Sequence, residues 1–156
     1  MLSGSVAMSV YVVPRTTRDM DFIVHLQLED VDKLVTHFNK DFYCDKDAIK
    51  DAIMRKSMFN IIDHMSQYKA DFVLLKDTEY RQLEFSRRLK VDFLGMPVFV
   101  VAAEDLLLSK LIWIQTLQSG RQLEDIQTLA ALETLDRTYI KHWTEKLNLN
   151  TFNLTL

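Results

Sequence analysis

Two aspartates stand one residue apart in the segment RTTRDMDFIV, at Asp19 and Asp21. The second half of that segment alternates like a β-strand, and residues two apart on a strand point to the same face. Asp19 and Asp21 therefore stand side by side, with Met20, Phe22 and Val24 turned the other way toward a core. Two neighbouring carboxylates repel and raise one another's pKa. A divalent cation between them relieves that cost. Mg²⁺ suits the place, because it takes hard oxygen ligands and leaves coordination positions to water and substrate phosphates. The same pattern also fits a solvated strand start paired with Arg15 or Arg18, and the two aspartates alone leave both readings open.

Three further features point to chemistry. Gly4-Ser5 precedes a short apolar segment, and a Gly-Ser turn into a helix offers N–H groups and a hydroxyl to a phosphate; Ser is equally a common helix cap. Asp71 interrupts the apolar strand KADFVLL and could supply a third carboxylate, or simply pair with Lys69 or Arg55. Arg15, Thr16, Thr17 and Arg18 place cations and hydroxyls beside the aspartate pair. Carboxylates for a metal, cations and a phosphate-cradling turn are together the equipment of phosphoryl or nucleotidyl transfer. Other reactive residues offer less. His25, His37, His64 and His142 share no metal-ligand spacing, and Cys44 has no activating neighbour in sequence.

The elements that must position these residues alternate between strands and helices. A short helix is expected from Ser5 to about Tyr11, ended by Pro14, then a strand over 19–26. Val31, Leu34, Val35 and Phe38 share a helical face, and DAIKDAIMRKS reads as a second amphipathic helix. FNIIDH and KADFVLL read as strands and DTEYRQLEFSRR as a helix. RLKVDFLGMPVFVVA reads as a hairpin turning at Gly95. Three helices follow: AEDLLLSKLIWIQTL, a segment from Arg121, and about Asp136 to Leu147. This is an α/β (α+β) pattern on a mixed sheet, expected as one domain over 1–156, with the sheet before about residue 101 and helices after it.

In their order along the chain, these motifs resemble the nucleotidyltransferase superfamily, whose fold is shared by the DNA polymerase beta catalytic domain and the minimal nucleotidyltransferases. Gly4-Ser5, thirteen intervening residues, Asp19-Met20-Asp21 and a later Asp71 are similar to that family's signature. PRTTRDMDFIV, VVAAEDLLLSKLIW and SGRQLEDIQTL are similar to segments of the bacterial AbiEii-like members. The resemblance implies Mg²⁺ on Asp19, Asp21 and Asp71, with Asp71 also a base for the attacking hydroxyl. It implies a nucleoside triphosphate (NTP) held by Gly4 and Ser5, and functional roles for Lys110 and Asp125. A snorkelling lysine is the plain alternative for Lys110, and a solvated helix face or an Arg121–Asp125 pair for Asp125. Arg15 and Arg121 are candidate phosphate clamps, in competition with Arg87 and Arg88; Asp92 is a rival third carboxylate, or a hairpin residue facing solvent. Only MLS precedes Gly4, so the strand leading into the phosphate turn is expected to be absent or a stub.

The implied activity is transfer of a nucleoside monophosphate (NMP) to a hydroxyl of a protein or RNA acceptor, with room for a toxin–antitoxin partner or a homo-oligomer. The alternative is a catalytically weak protein of the same fold that acts as a binding protein or antitoxin by contact. Composition narrows the partners. The 156 residues are enough for a core, and a net charge of −3 supplies no global field for nucleic acid. The single cysteine excludes an internal disulfide and fits a reducing, cytoplasmic setting. No apolar run is long enough for a membrane span, and the apolar N-terminal stretch lacks the positive start of a signal peptide.

Overall fold

The computed structural model describes residues 1–117 and 119–154. Among them, seven strands form one mixed sheet: β1 (Leu2–Ser3), β2 (Asp19–Val24), β3 (Phe42–Cys44), β4 (Met58–Asp63), β5 (Lys69–Leu74), β6 (Leu89–Phe93) and β7 (Met96–Val100). Their spatial order is β3-β4-β5-β2-β1-β7-β6. β2 runs parallel to β5, and β1 parallel to β7; the other pairs are antiparallel. The helices are α1 (Gly4–Met8), α2 (Val31–Phe38), α3 (Lys46–Arg55), α4 (Glu79–Ser86), α5 (Ala103–Ile114), α6 (Gly120–Ala130) and α7 (Arg137–Lys146). No helix among the described residues is long and apolar enough to cross a membrane.

Alternation along the strands divides the sheet into two faces. On one, Phe22, Phe72 and Phe59 lie on a single rung across β2, β5 and β4. Their rings stack with centroids 5.5 Å and 5.1 Å apart. Val31, Ile49, Ala52, Ile61 and Leu74 complete this part of the core with α2 and α3. Beyond β1 a second core gathers around α5, whose Leu106, Leu107, Leu108, Leu111 and Ile114 pack with Ile126, Leu129, Ile140 and Trp143 of α6 and α7. α5 is apolar nearly all round because neighbours enclose it on several sides. Its one buried acid, Asp105, accepts from Arg87 Nε at 2.8 Å and from the Tyr139 hydroxyl at 2.6 Å.

Most expected elements form close to their predicted bounds. The stub does too: β1 has two residues, pairing Leu2 with Phe22 and Ser3 with Asp21. Two strand readings need correcting. β3 is a three-residue strand unseen in the sequence, too short for alternation to show. Met20 does not join the core but is 37% exposed. Its rung has no partner on the β1 side, since β1 pairs with β2 only at Asp21 and Phe22. The β6–β7 hairpin turns at Leu94-Gly95, both with positive φ, the geometry of a two-residue turn. Asp92 caps that turn by accepting from the Gly95 N–H at 2.9 Å.

Leu107 is fully buried between the sheet and the C-terminal helices. Leu107→Ala should lower unfolding free energy by about 2–5 kcal/mol, the range for a core leucine cavity. Urea denaturation with an unchanged m-value checks it.

Candidate functional site

The parallel ladder of β2 and β5 sets the site. Asp21 is paired in register with Asp71, and Asp19 with Lys69. On the same rung as the aspartates lie Ser3 of β1 and Asn60 of β4, on the face opposite the phenylalanine row. Asp19, Asp21 and Asp71 thus share one sheet face, as the spacing of each strand requires. Lys69 stands on that face as well, two residues before Asp71. Its ammonium lies 2.8 Å from Asp71 Oδ2 and 3.8 Å from Asp19 Oδ1.

The electrostatics are strained around Asp21. Burial pushes its carboxyl above the usual range, the Asp71 charge pushes it further, and Lys110 pulls partly back. Asp71 is itself buried, and its Oδ1 has no hydrogen-bond partner. An orphaned carboxylate oxygen inside a protein is costly, and Lys69 meets only the other oxygen of Asp71, Oδ2. Gly4 presses against the same group. Its φ is +61°, and a Cβ there would overlap the Asp21 carboxylate. Only glycine brings the α1 turn this close to the rung.

These residues suit Mg²⁺. Among the described residues no three His, Cys, Asp or Glu side chains converge as a ready-made metal cage. Mg²⁺ does not ask for one: it binds through one or two carboxylates and completes its shell with water and phosphate. Asp21 and Asp71 provide such a pair, and Asp19 stands two rungs away on the same face.

A second charged group adjoins the first. Arg15 grips Asp125 through two bonds of 2.8 Å, from Nε and Nη2, and its Nη2 also donates to Ser5 Oγ at 2.6 Å. Lys110 Nζ donates to Asp125 Oδ2 at 2.7 Å. Burial works against the Asp125 charge, but the bonds from Arg15 and Lys110 prevail and hold its carboxyl below the usual range. Four residues singled out in the sequence therefore meet: Ser5 on α1, Arg15 on the following loop, Lys110 on α5 and Asp125 on α6. The plain alternatives for two of them fall away. Lys110 is buried rather than snorkelling, and Asp125 is buried and bonds Arg15 and Lys110 instead of lying on a solvated face.

Arg121 is exposed on the first turn of α6 and takes no part in the Arg15–Asp125–Lys110 contacts. Arg87 is tied to Asp105, and Arg88 lies over Phe85 and Phe99, so both serve packing rather than this site. Asp92 is exposed on β6, away from the rung. From the sequence, Lys69 is expected only as an ion-pair partner of Asp71. Its spacing in KAD, two residues before an acid on a strand, was the signal that it shares the carboxylates' face.

No protein-family model matches the chain, and no curated protein matches it. Solved structures do. An antigenic nucleotidyltransferase-like protein from Paracoccidioides brasiliensis aligns with a TM-score of 0.52, over 93% of this chain and 78% of its own, at 14% identity. LnuA, a lincosamide antibiotic adenylyltransferase with lincomycin bound, aligns with a TM-score of 0.50, over 83% and 84%, at 12% identity. This chain has a nucleotidyltransferase fold. At such identities the likeness is one of fold, and the roles of residues rest on the geometry above. Within the nucleotidyltransferase fold of this chain, the carboxylate rung lies at the centre of the sheet and the Arg15–Asp125–Lys110 group links the α1 loop to the C-terminal helices.

Two outcomes test this geometry. In metal-free buffer at pH 7, Asp21→Asn should raise the melting temperature. The folded chain holds the Asp21 proton to higher pH than the unfolded chain, so the charged group penalises folding at neutral pH. That penalty is absent below the unfolded carboxylate pKa, near 4, and the gain should vanish as pH falls toward it. Asp125→Ala leaves a buried ammonium and a guanidinium without their acid. It should cost about 3–5 kcal/mol, with part recovered when Lys110→Met is added, as measured by chemical denaturation.

Proposed function

We propose that this protein transfers a nucleoside monophosphate from a nucleoside triphosphate to a hydroxyl acceptor, with Mg²⁺. One observation carries the reading: Asp21 and Asp71 are set on one rung, with a buried Asp71 oxygen that no group of the chain satisfies. A purely structural pair of acids would be fully partnered; here Lys69 meets Asp71 Oδ2 and leaves Oδ1 without a partner. The fold of the two solved neighbours supports the same reading.

In this reading Asp21 and Asp71 hold the ion, with Asp19 beside them. Mg²⁺, when bound, screens the triphosphate charge and stabilises the leaving pyrophosphate. Gly4 lets the backbone of the α1 turn approach the rung, and Ser5 Oγ, held by Arg15, is free to turn its proton toward a phosphate oxygen. Asp125 and Lys110 position Arg15 rather than touch the nucleotide. Asp71 also serves as the base for the attacking hydroxyl. The acceptor is a protein or RNA hydroxyl, with an AbiEii-type toxin–antitoxin setting as the sequence resemblance implies. The net charge of −3 favours the protein.

The test is to incubate the protein with Mg²⁺, a cell extract and each labelled triphosphate in turn. Label should pass to a macromolecule. Asp21→Asn and Asp71→Asn should each reduce the rate at least about a hundredfold, the scale for removing a charged group from a transfer site. Absence of transfer together with absence of metal-dependent nucleotide binding would sink the reading. A second reading, a catalytically weak binding protein of the same fold, draws on Lys69, whose ammonium already offsets part of the acidic charge. It requires partner capture that survives Asp21→Asn.

A further inference from the structure

The carboxylate rung contains a cation of its own. Lys69 donates to Asp71 and leans toward Asp19, so its ammonium occupies part of the space that a metal ion would share with these acids. Lys69 reaches the rung from the solvent side. Its side chain is about one-third exposed (34%), whereas Asp71 keeps only 10% of its side-chain surface in water. The acid is fixed and the lysine has a way out. Lysine suits such movement, being a compact charge on a flexible four-carbon stem.

Two ligands meet opposite forces at this place. A bare divalent ion entering beside Asp71 is repelled by the ammonium. An ion that arrives with a triphosphate brings anionic oxygens, and these give Lys69 an alternative partner. We propose that Lys69 makes the rung discriminate between a bare divalent cation and a cation–triphosphate complex, resisting the first and favouring the second. This rests on the metal-dependent reading above and deepens it: Lys69 is a specificity-determining residue of the same site. The consequence is an ordered requirement, in which the metal is taken up with its nucleotide and not held in advance.

The experiment uses the full chain and two probes, Mn²⁺ alone and Mn²⁺ with inorganic tripolyphosphate, which avoids any assumption about the base. Binding is followed by titration calorimetry and by the electron paramagnetic resonance signal of free Mn²⁺. Lys69→Met should bind bare Mn²⁺ at least about tenfold more tightly than the wild type, because a unit like charge next to the ligands is gone. The same variant should bind Mn²⁺–tripolyphosphate more weakly. Lys69→Arg should stay close to wild type in both. Lys69→Gln provides the neutral comparison should Lys69→Met fail to fold by circular dichroism. Adding Asp71→Asn to the neutral variant should remove the Mn²⁺ binding, which assigns the ion to the rung.

Equal or weaker Mn²⁺ binding by the neutral variants, or Mn²⁺ binding that survives Asp71→Asn, overturns the role of Lys69. If the wild type still binds Mn²⁺–tripolyphosphate through Asp21 and Asp71, the metal-dependent reading stands without it. Absence of Mn²⁺ binding in every protein, with or without tripolyphosphate, overturns both.

Discussion

Like charges placed on one rung of a parallel ladder are the constraint around which this protein is arranged. The β2–β5 pairing that aligns Phe22 with Phe72 on one face necessarily aligns Asp21 with Asp71 on the other. The stacked phenylalanines and the opposed carboxylates are two sides of one register, since a shift by a single residue would exchange the faces. Apolar burial therefore holds in place an acidic pair that electrostatics alone would separate. Gly4, Lys69 and Lys110 are the local answers to that pair: a backbone without a side chain, a partly exposed cation and a buried cation.

The buried cation belongs to a separate arrangement with a different purpose. Asp125 is gripped from two sides, by Arg15 of the loop before β2 and by Lys110 of α5. Through Ser5 the same arginine reaches α1. A bidentate guanidinium–carboxylate pair fixes orientation as well as distance. The turn that carries Gly4 and Ser5 is thus secured from the C-terminal helices, although β1 beneath it is only two residues long.

Much of the fold was legible because its signals are local. The alternation of DMDFIV and KADFVLL, the helical spacing of residues 31–38 and the glycine of the 88–102 hairpin all act within a few residues of themselves. Asp19, Asp21 and Asp71 were visible for the same reason, as acids breaking apolar strands. What could not be read was which strand lies beside which, and so that Asp21 faces Asp71 while Asp19 faces Lys69. The buried acid that engages Arg15 was equally hidden, since it lies 110 residues away. The helix phase of α6 places Arg121 in solvent and Asp125 inside, a difference that neighbouring residues do not show. The buried Asp105–Arg87–Tyr139 contacts were hidden likewise, their partners lying 18 and 34 residues away.

The bond between Arg15 and Asp125 joins residues 110 positions apart. Contacts of such separation form late, since the entropy of closing a long loop must be met before the contact returns anything. A ribosome extending this chain releases the strands with their acids well before it releases α6. Until residue 125 has emerged, Arg15 has no acid to grip and Ser5 no arginine to hold it. A nascent chain therefore carries the acidic rung before the tie on Ser5 can form, so the α1 turn is secured after the β2–β5 pairing and not with it.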